Sequence, residues 1–195
     1  RDLHVRSRRQ RQMCIRDRKL TLMKTSADSL KKSADALNDS SLWEKKKIKK
    51  KDEKTGEEIE VEDYDWDKIT KAVKSFVEDY NDVVKEAGES NTKDVLRNAS
   101  WMTGMTDKNS NMLAKIGITI GKGNKLELDE DALKQADISS LKTVFTGYNS
   151  FVSKISQKAT GISNAANRAS ATYTNNGTYS KTDSSLTSSK IDKEV

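Results

Sequence analysis

Three stretches of this chain place apolar residues alternately three and four positions apart, and that spacing constrains the fold more than anything else in it. It lays one continuous apolar stripe along each of three helices, and such stripes leave water only by packing helix against helix. The first stripe is Leu20, Met23, Ala27, Leu30, Ala34 and Leu37, with Asp28, Lys31, Lys32 and Asp35 facing outward. The second is Trp66, Ile69, Val73, Phe76, Tyr80, Val83 and Ala87. Asp65 and Asp67 suit the positive end of that helix dipole, and Gly88 is placed to end the helix. The third and longest is Leu141, Phe145, Tyr148, Val152, Ile155, Ala159, Ile162, Ala166 and Ala169. Its large residues give way to alanines after Ile155, and Gly147 and Gly161 each cost a helix about 1 kcal/mol. Its second half therefore needs close packing against a partner helix, in the same chain or another. Ordinary core packing accounts for these stripes without a cofactor.

Composition limits how much these helices can bury. Of 195 residues, 33% are hydrophobic and 34% charged, so one core is affordable and it must be thin. Proline is absent, which leaves long tracts free to be helical. No apolar stretch approaches the length of a membrane span, and no signal-peptide core is visible.

The net charge of +6 sits almost wholly at the start. Residues 1–18 hold seven arginines and two aspartates; of the 36 basic and 30 acidic residues in the chain, 29 and 28 remain beyond them. The run Arg11-Gln12-Met13-Cys14-Ile15-Arg16-Asp17-Arg18 resembles a translated sequencing-adaptor peptide, and the reading is of a non-native or disordered basic segment. The alternative is a basic arm whose Arg6, Arg8, Arg9 and Arg11 contact phosphates without reading sequence. That rival makes the chain a nucleic-acid-binding protein with steeply salt-dependent binding lost on deleting residues 1–18. The near-neutral remainder argues against a nucleic-acid partner. The single cysteine, Cys14, and the single histidine, His4, lie in the same segment. From Lys19 onward there is no ligand set for structural zinc, no thiol nucleophile, no disulfide and no histidine base. A hydrolase built on paired carboxylates would need two acids held across a cleft, and no pair stands out from solvated acidic faces.

Between the first two helices a lysine run, Trp43 to Lys51, meets an acidic run from Glu57 to Asp67, with Lys54-Thr55-Gly56-Glu57 as a turn. Cross-strand pairing would make a two-stranded ribbon; the alternative is a solvated loop. Val95, Leu96, Ala99, Trp101 and Met102 mark an amphipathic stretch interrupted over Thr106–Ser110, read as two short helices or a kinked one. Ile116-Gly117-Ile118-Thr119-Ile120, the turn residues Gly121, Gly123 and Asn124, and Lys125-Leu126-Glu127-Leu128 give the strongest hairpin signal, after which Asp129 caps a short helix. The three glycines loosely suggest a phosphate loop, but no lysine-serine or lysine-threonine pair follows where one is needed. Asp129, Glu130 and Asp131 lack the glycine and terminal glutamate of a calcium loop. From about Ala171 the chain is Ser/Thr/Asn-rich and holds too little apolar surface to fold alone.

Met112-Leu113-Ala114-Lys115-Ile116-Gly117-Ile118-Thr119, followed by Gly123-Asn124-Lys125-Leu126-Glu127-Leu128-Asp129-Glu130-Asp131-Ala132-Leu133, resembles a signature of the bacterial flagellar filament-capping proteins, the hook-associated cap of FliD type. Upstream, Phe76-Val77-Glu78-Asp79-Tyr80-Asn81 is similar to that family's phenylalanine-valine-x-x-tyrosine-asparagine helix. Downstream, Leu141 to Gly147 is similar to its segment ending in phenylalanine-x-glycine. Together these cover roughly residues 66–155. The resemblance implies a protein exported by the flagellar type III pathway, assembled at the filament tip and aiding flagellin insertion, with no catalytic residue and no cofactor. Three departures accompany it: the large β-rich outer domains, an obvious paired N-terminal helix and the usual C-terminal coiled coil are not evident.

The expectation is thus a mainly α fold, an elongated, coiled-coil-like helical bundle with a small β-hairpin at about 118–128, a second ribbon around Gly56 as an option, and disordered ends. Its parts are residues 1–18, a helical domain over 19–170 and a tail over 171–195. The residues expected to pack helices or recruit a partner are Trp66, Phe76, Tyr80, Leu141, Phe145, Tyr148, Val152 and Ile155. By resemblance the partners are the chain itself or flagellar axial proteins such as flagellin, and the location is the flagellum or the cell exterior; without the resemblance the chain reads as cytoplasmic. No metal, cofactor or catalytic residue is expected.

Overall fold

The structure, a computed structural model, describes residues 2–51, 56 and 58–171. Four long helices dominate: α1 (Asp2–Asn38), α2 (Trp66–Gly88), α3 (Lys93–Lys108) and, at the end, α7 (Phe151–Ala171). Short helices α4 (Ser110–Ala114), α5 (Glu130–Gln135) and α6 (Ile138–Phe145) lie between α3 and α7. Two antiparallel hairpins complete it, β1 (Lys46–Lys51) with β2 (Glu58–Asp63) and β3 (Ile118–Ile120) with β4 (Leu126–Leu128).

The long helices pack in a ring, α1 on α2, α2 on α3, α3 on α7 and α7 on α1. Side-chain contacts fix their directions. Asp28 and Asp35 of α1 meet Ser163 and Ser156 of α7, so those two helices run antiparallel. Lys19 and Ser33 meet Glu89 and Asp79, which makes α2 antiparallel to α1 as well. Tyr80 meets Thr106, and Asp94 and Trp101 of α3 meet Arg168 and Lys158 of α7. The result is an antiparallel four-helix bundle. Every position of the first stripe is buried, and so is the second apart from a half-buried Trp66.

The third stripe is not one helix. It is divided into α6 and α7 by a loop over Thr146–Ser150, where Gly147 has φ +102° and donates its N–H to Asn38 Oδ1 at 2.9 Å. A left-handed residue ends a helix, and glycine takes that conformation without steric cost. Gly161 does lie inside α7, where its missing side chain lets Asn98 of α3 approach; a Cβ there would stand 2.7 Å from Asn98 Oδ1.

At the chain start, α1 runs on helically through residues 2–18, where the sequence suggests a disordered or foreign segment. Helical hydrogen bonding simply propagates backwards from a packed helix. The apolar face begins only at Leu20; before it the described side chains are exposed, apart from a half-buried Met13. Ala171, where the expected tail over 171–195 begins, is still the last residue of α7; the rest of that tail lies outside the described residues, as do most of the turn residues of the first ribbon. Its strands are formed, with Lys47 opposite Glu62, Lys49 opposite Glu60 and Lys51 opposite Glu58. The amphipathic stretch is two helices, α3 and α4, parted at Asn109.

One polar chain crosses the core. Tyr80 Oη donates to Thr106 Oγ1 at 2.9 Å, and Thr106 Oγ1 donates to the Met102 carbonyl at 2.9 Å. Burial pushes the Tyr80 phenol up to about 12. Tyr80→Phe removes one hydrogen bond and should cost about 1 kcal/mol, whereas Thr106→Val strands a buried phenol and should cost about 1–3 kcal/mol. Denaturant midpoints at neutral pH test that order. Between the ordinary phenol value of 10.0 and about 12 the unfolded chain loses its proton first, so stability falls as pH rises through that window. The Tyr80→Phe protein should lack this alkaline loss.

Candidate assembly surfaces

The hairpin β3–β4 is held on the bundle by a side chain that imitates a neighbouring strand. Asn81 of α2 donates its Nδ2 to the Leu126 carbonyl at 2.9 Å and accepts the Leu126 N–H at 2.7 Å through Oδ1. An amide offers the same donor and acceptor pair as a peptide, so it satisfies part of an open strand edge. Ile118 and Leu126 are buried beneath it. At the turn, Gly123 and Asn124 take positive φ of 69° and 59°, and Gly121 donates its N–H to the Lys125 carbonyl at 2.8 Å. A Cβ on Gly121 would lie within 2.2 Å of Glu127 Oε1, so an acid covers this turn. A carboxylate in that place repels phosphate and favours the reading of these glycines as a turn. Asp129 accepts the N–H groups of Asp131 and Ala132 at 3.0 and 3.1 Å, which makes it the N-cap of α5.

The residues expected to form a seam fall in three environments. Phe76, Tyr80, Leu141, Phe145, Val152 and Ile155 are fully buried inside the chain. Trp66 is half-buried and meets Tyr64 edge-on, with centroids 6.3 Å apart. Tyr148 is 84% exposed, because the loop that splits the third stripe carries it to the surface. Phe76 meets Phe151 edge-on at 6.4 Å, tying α2 across the bundle to α7. Trp101 is also exposed, with Lys158 Nζ 4.4 Å above its ring. These two join an open groove of about 490 Å³ between α3 and α7, with Met105, Lys108 and Lys154 along its walls.

A polar ladder that sequence reading missed follows the junction of α1 with its neighbours. Ser163 Oγ donates to Asp28 at 2.6 Å, Ser156 Oγ to Asp35 at 2.7 Å, and Ser33 Oγ to Asp79. Serines beside an apolar stripe look like ordinary surface positions, and only the pairing of helices reveals them. The Ser163 hydrogen bond, with Lys24, holds the Asp28 carboxyl below its usual 3.8 against the effect of burial. At Asp35 burial pushes upward, but hydrogen bonds from Lys31 and Ser156 outweigh it. A carboxylate held low stabilises the fold above its unfolded value and loses that stabilisation as pH falls through the folded value. The bundle should therefore weaken below about pH 4, and Asp28→Asn should flatten the slope of stability against pH in that range; an unchanged slope would contradict it.

Among the described residues no group of three His, Cys, Asp or Glu side chains is placed to hold a metal, and no helix is long and apolar enough to cross a membrane. The arrangement defines a helical scaffold with an appended hairpin, in which Tyr80, Asn81, Ser156 and Ser163 hydrogen-bond one element to another. The model of the flagellar hook-associated protein 2 C-terminus matches residues 89–194, more than half of the chain, and the protein belongs to that family. The match takes in α3 to α7 and the hairpin β3–β4, and it continues past residue 155, where the motif resemblance stopped. Neither a curated protein nor a solved structure gives a match.

Proposed function

We propose that this chain is a structural component of the bacterial flagellum that works as a filament cap does, through helix packing, self-assembly and contact with other axial proteins such as flagellin. The observation that carries the reading is the family match over residues 89–194, laid on a bundle whose hairpin is seated by Asn81, a residue of the upstream motif that resembles the family. Export by the flagellar type III pathway and a place outside the cell follow from that role. Catalysis plays no part in it, and neither does a cofactor. The exposed Tyr148 and Trp101 are the seam and surface aromatics free to meet a partner.

Two measurements on the full chain test the proposal: solution mass by light scattering over a concentration series, and binding of labelled protein to filaments lacking a cap. A discrete oligomer that decorates filament ends is the expected result. A chain that stays monomeric and ignores filaments sinks it.

A further inference from the structure

The ribbon β1–β2 has two free edges of opposite charge. Among the described residues β1 pairs with β2 alone, so the outer edge of each strand carries backbone N–H and C=O groups with no strand beside them. Lys46, Lys47, Lys49 and Lys51 make β1 basic along its length; Glu58, Glu60 and Glu62 make β2 acidic, and all seven are exposed. Ile59, between the glutamates, is 43% exposed. We infer that the ribbon is a docking surface for a second copy of this chain, the β1 edge of one copy adding to the β2 edge of the next. This rests on the self-assembly proposed above and names the surface that would carry it.

The charge pattern selects that pairing over its alternatives. Two β1 edges would set lysine against lysine and two β2 edges glutamate against glutamate, and like charges directly opposite destabilise a sheet. Only unlike edges repeat between copies the lysine-to-glutamate register already present within the ribbon, where Lys47, Lys49 and Lys51 face Glu62, Glu60 and Glu58. An interface joining two different edges is heterologous, so each copy keeps one edge open for another neighbour. Such contacts build rings when the rotation closes, and filaments when it does not, rather than a two-fold dimer. The pairs are exposed, so salt should weaken them: the screening length shrinks from about 10 Å at 0.1 M to about 3 Å at 1 M.

The test is light scattering and sedimentation of the full chain over salt and protein concentration, for wild type and two variants. In the first, Lys46, Lys47, Lys49 and Lys51 are all replaced by Gln. In the second, Lys47, Lys49 and Lys51 become Glu while Glu58, Glu60 and Glu62 become Lys and Lys46 stays opposite Asp63, which keeps both the internal pairing and the unlike edges. Wild type should form oligomers larger than a dimer at low salt, with association weakened on the order of tenfold or more at high salt. The Gln variant should lose association while keeping its helical circular dichroism, and the exchanged variant should regain it. Undiminished, salt-insensitive assembly of the Gln variant would overturn the ribbon as the interface and leave the flagellar reading standing. Failure of the exchanged variant to assemble while wild type does would also overturn it. A wild-type chain that is monomeric throughout overturns edge pairing, and its binding or not binding to filament ends then decides the flagellar reading separately.

Discussion

Trp43→Ala is expected to cost the fold about 3–5 kcal/mol, the range for removing a fully buried large aromatic side chain. A domain of ordinary stability holds only about 5–15 kcal/mol in all. Trp43 sits in a single 3₁₀ turn, Ser40–Trp43, just after α1, and it is 1% exposed. Its ring stacks on Phe145 with centroids 5.5 Å apart and planes 10° from parallel. Its Nε1–H donates to the Leu37 carbonyl at 2.8 Å, one of the carbonyls that the last turn of α1 leaves without a helical partner. One side chain thus closes the end of α1, fills the space beside α6 and aims the chain toward the ribbon. Trp43→Phe keeps an aromatic ring on Phe145 but deletes the donor, and should lose less than the alanine variant. Guanidinium unfolding followed by circular dichroism measures both. A loss under about 1 kcal/mol for Trp43→Ala would show that the turn is peripheral to the cooperative core.

Periodicity made the bundle legible because its information is redundant. Leu20 to Leu37 and Ile69 to Ala87 repeat the spacing for five turns or more, and each named position is buried. The same redundancy hid the break in the third stripe. Phe145 and Val152 are seven residues apart, one heptad, so a loop between them leaves the spacing intact. What betrays the break is Gly147, a residue whose left-handed backbone depends on tertiary surroundings and reads in sequence only as a weak point in a helix.

Trp43 was invisible for a different reason: its partners, Leu37 O and Phe145, come from the end of one helix and from a helix about a hundred residues later. Within its own neighbourhood it looks like the first residue of a lysine run. The ladder of Ser33, Ser156 and Ser163 likewise needs two helices at once. Asn81 stands between these cases, since its place in a motif marked it, while its task of pairing with Leu126 required the hairpin to be seen on α2. The hairpin turn itself was legible from Gly123 and Asn124, because positive φ is a local demand, while Gly121 beside them is extended.

Gly117→Ala should be among the most damaging single-methyl additions in the chain, for reasons that separate cleanly from those at its other glycines. Gly117 has φ +83°, where an L-residue pays about 1–2 kcal/mol. A Cβ there would stand 2.7 Å from the Asp129 carbonyl oxygen, 2.9 Å from the Leu133 nitrogen and 3.0 Å from the Ala132 Cβ. Two of these atoms are backbone, at the capped first turn of α5, and they cannot swing aside as a long side chain can. The Gly117 carbonyl also accepts the Asp129 N–H at 2.8 Å, so moving the strand away breaks the bond that joins hairpin to helix. Overpacking of this kind adds about 1–3 kcal/mol. The total expected loss is about 2–5 kcal/mol, or a fall in thermal midpoint of roughly 2–4 °C for each of those kcal/mol. Gly123→Ala isolates the first contribution, since Gly123 has φ +69° but open space around it; about 1–2 kcal/mol should go. Gly104→Ala reverses the sign. Gly104 is helical, exposed and unobstructed within α3, and alanine there should add about 0.5–1 kcal/mol. If the three substitutions gave equal losses, close packing of Gly117 on α5 would not be what its place in the isoleucine-glycine-isoleucine-threonine motif requires. A graded result, with Gly104→Ala above wild type, would tie that motif to the seating of the hairpin.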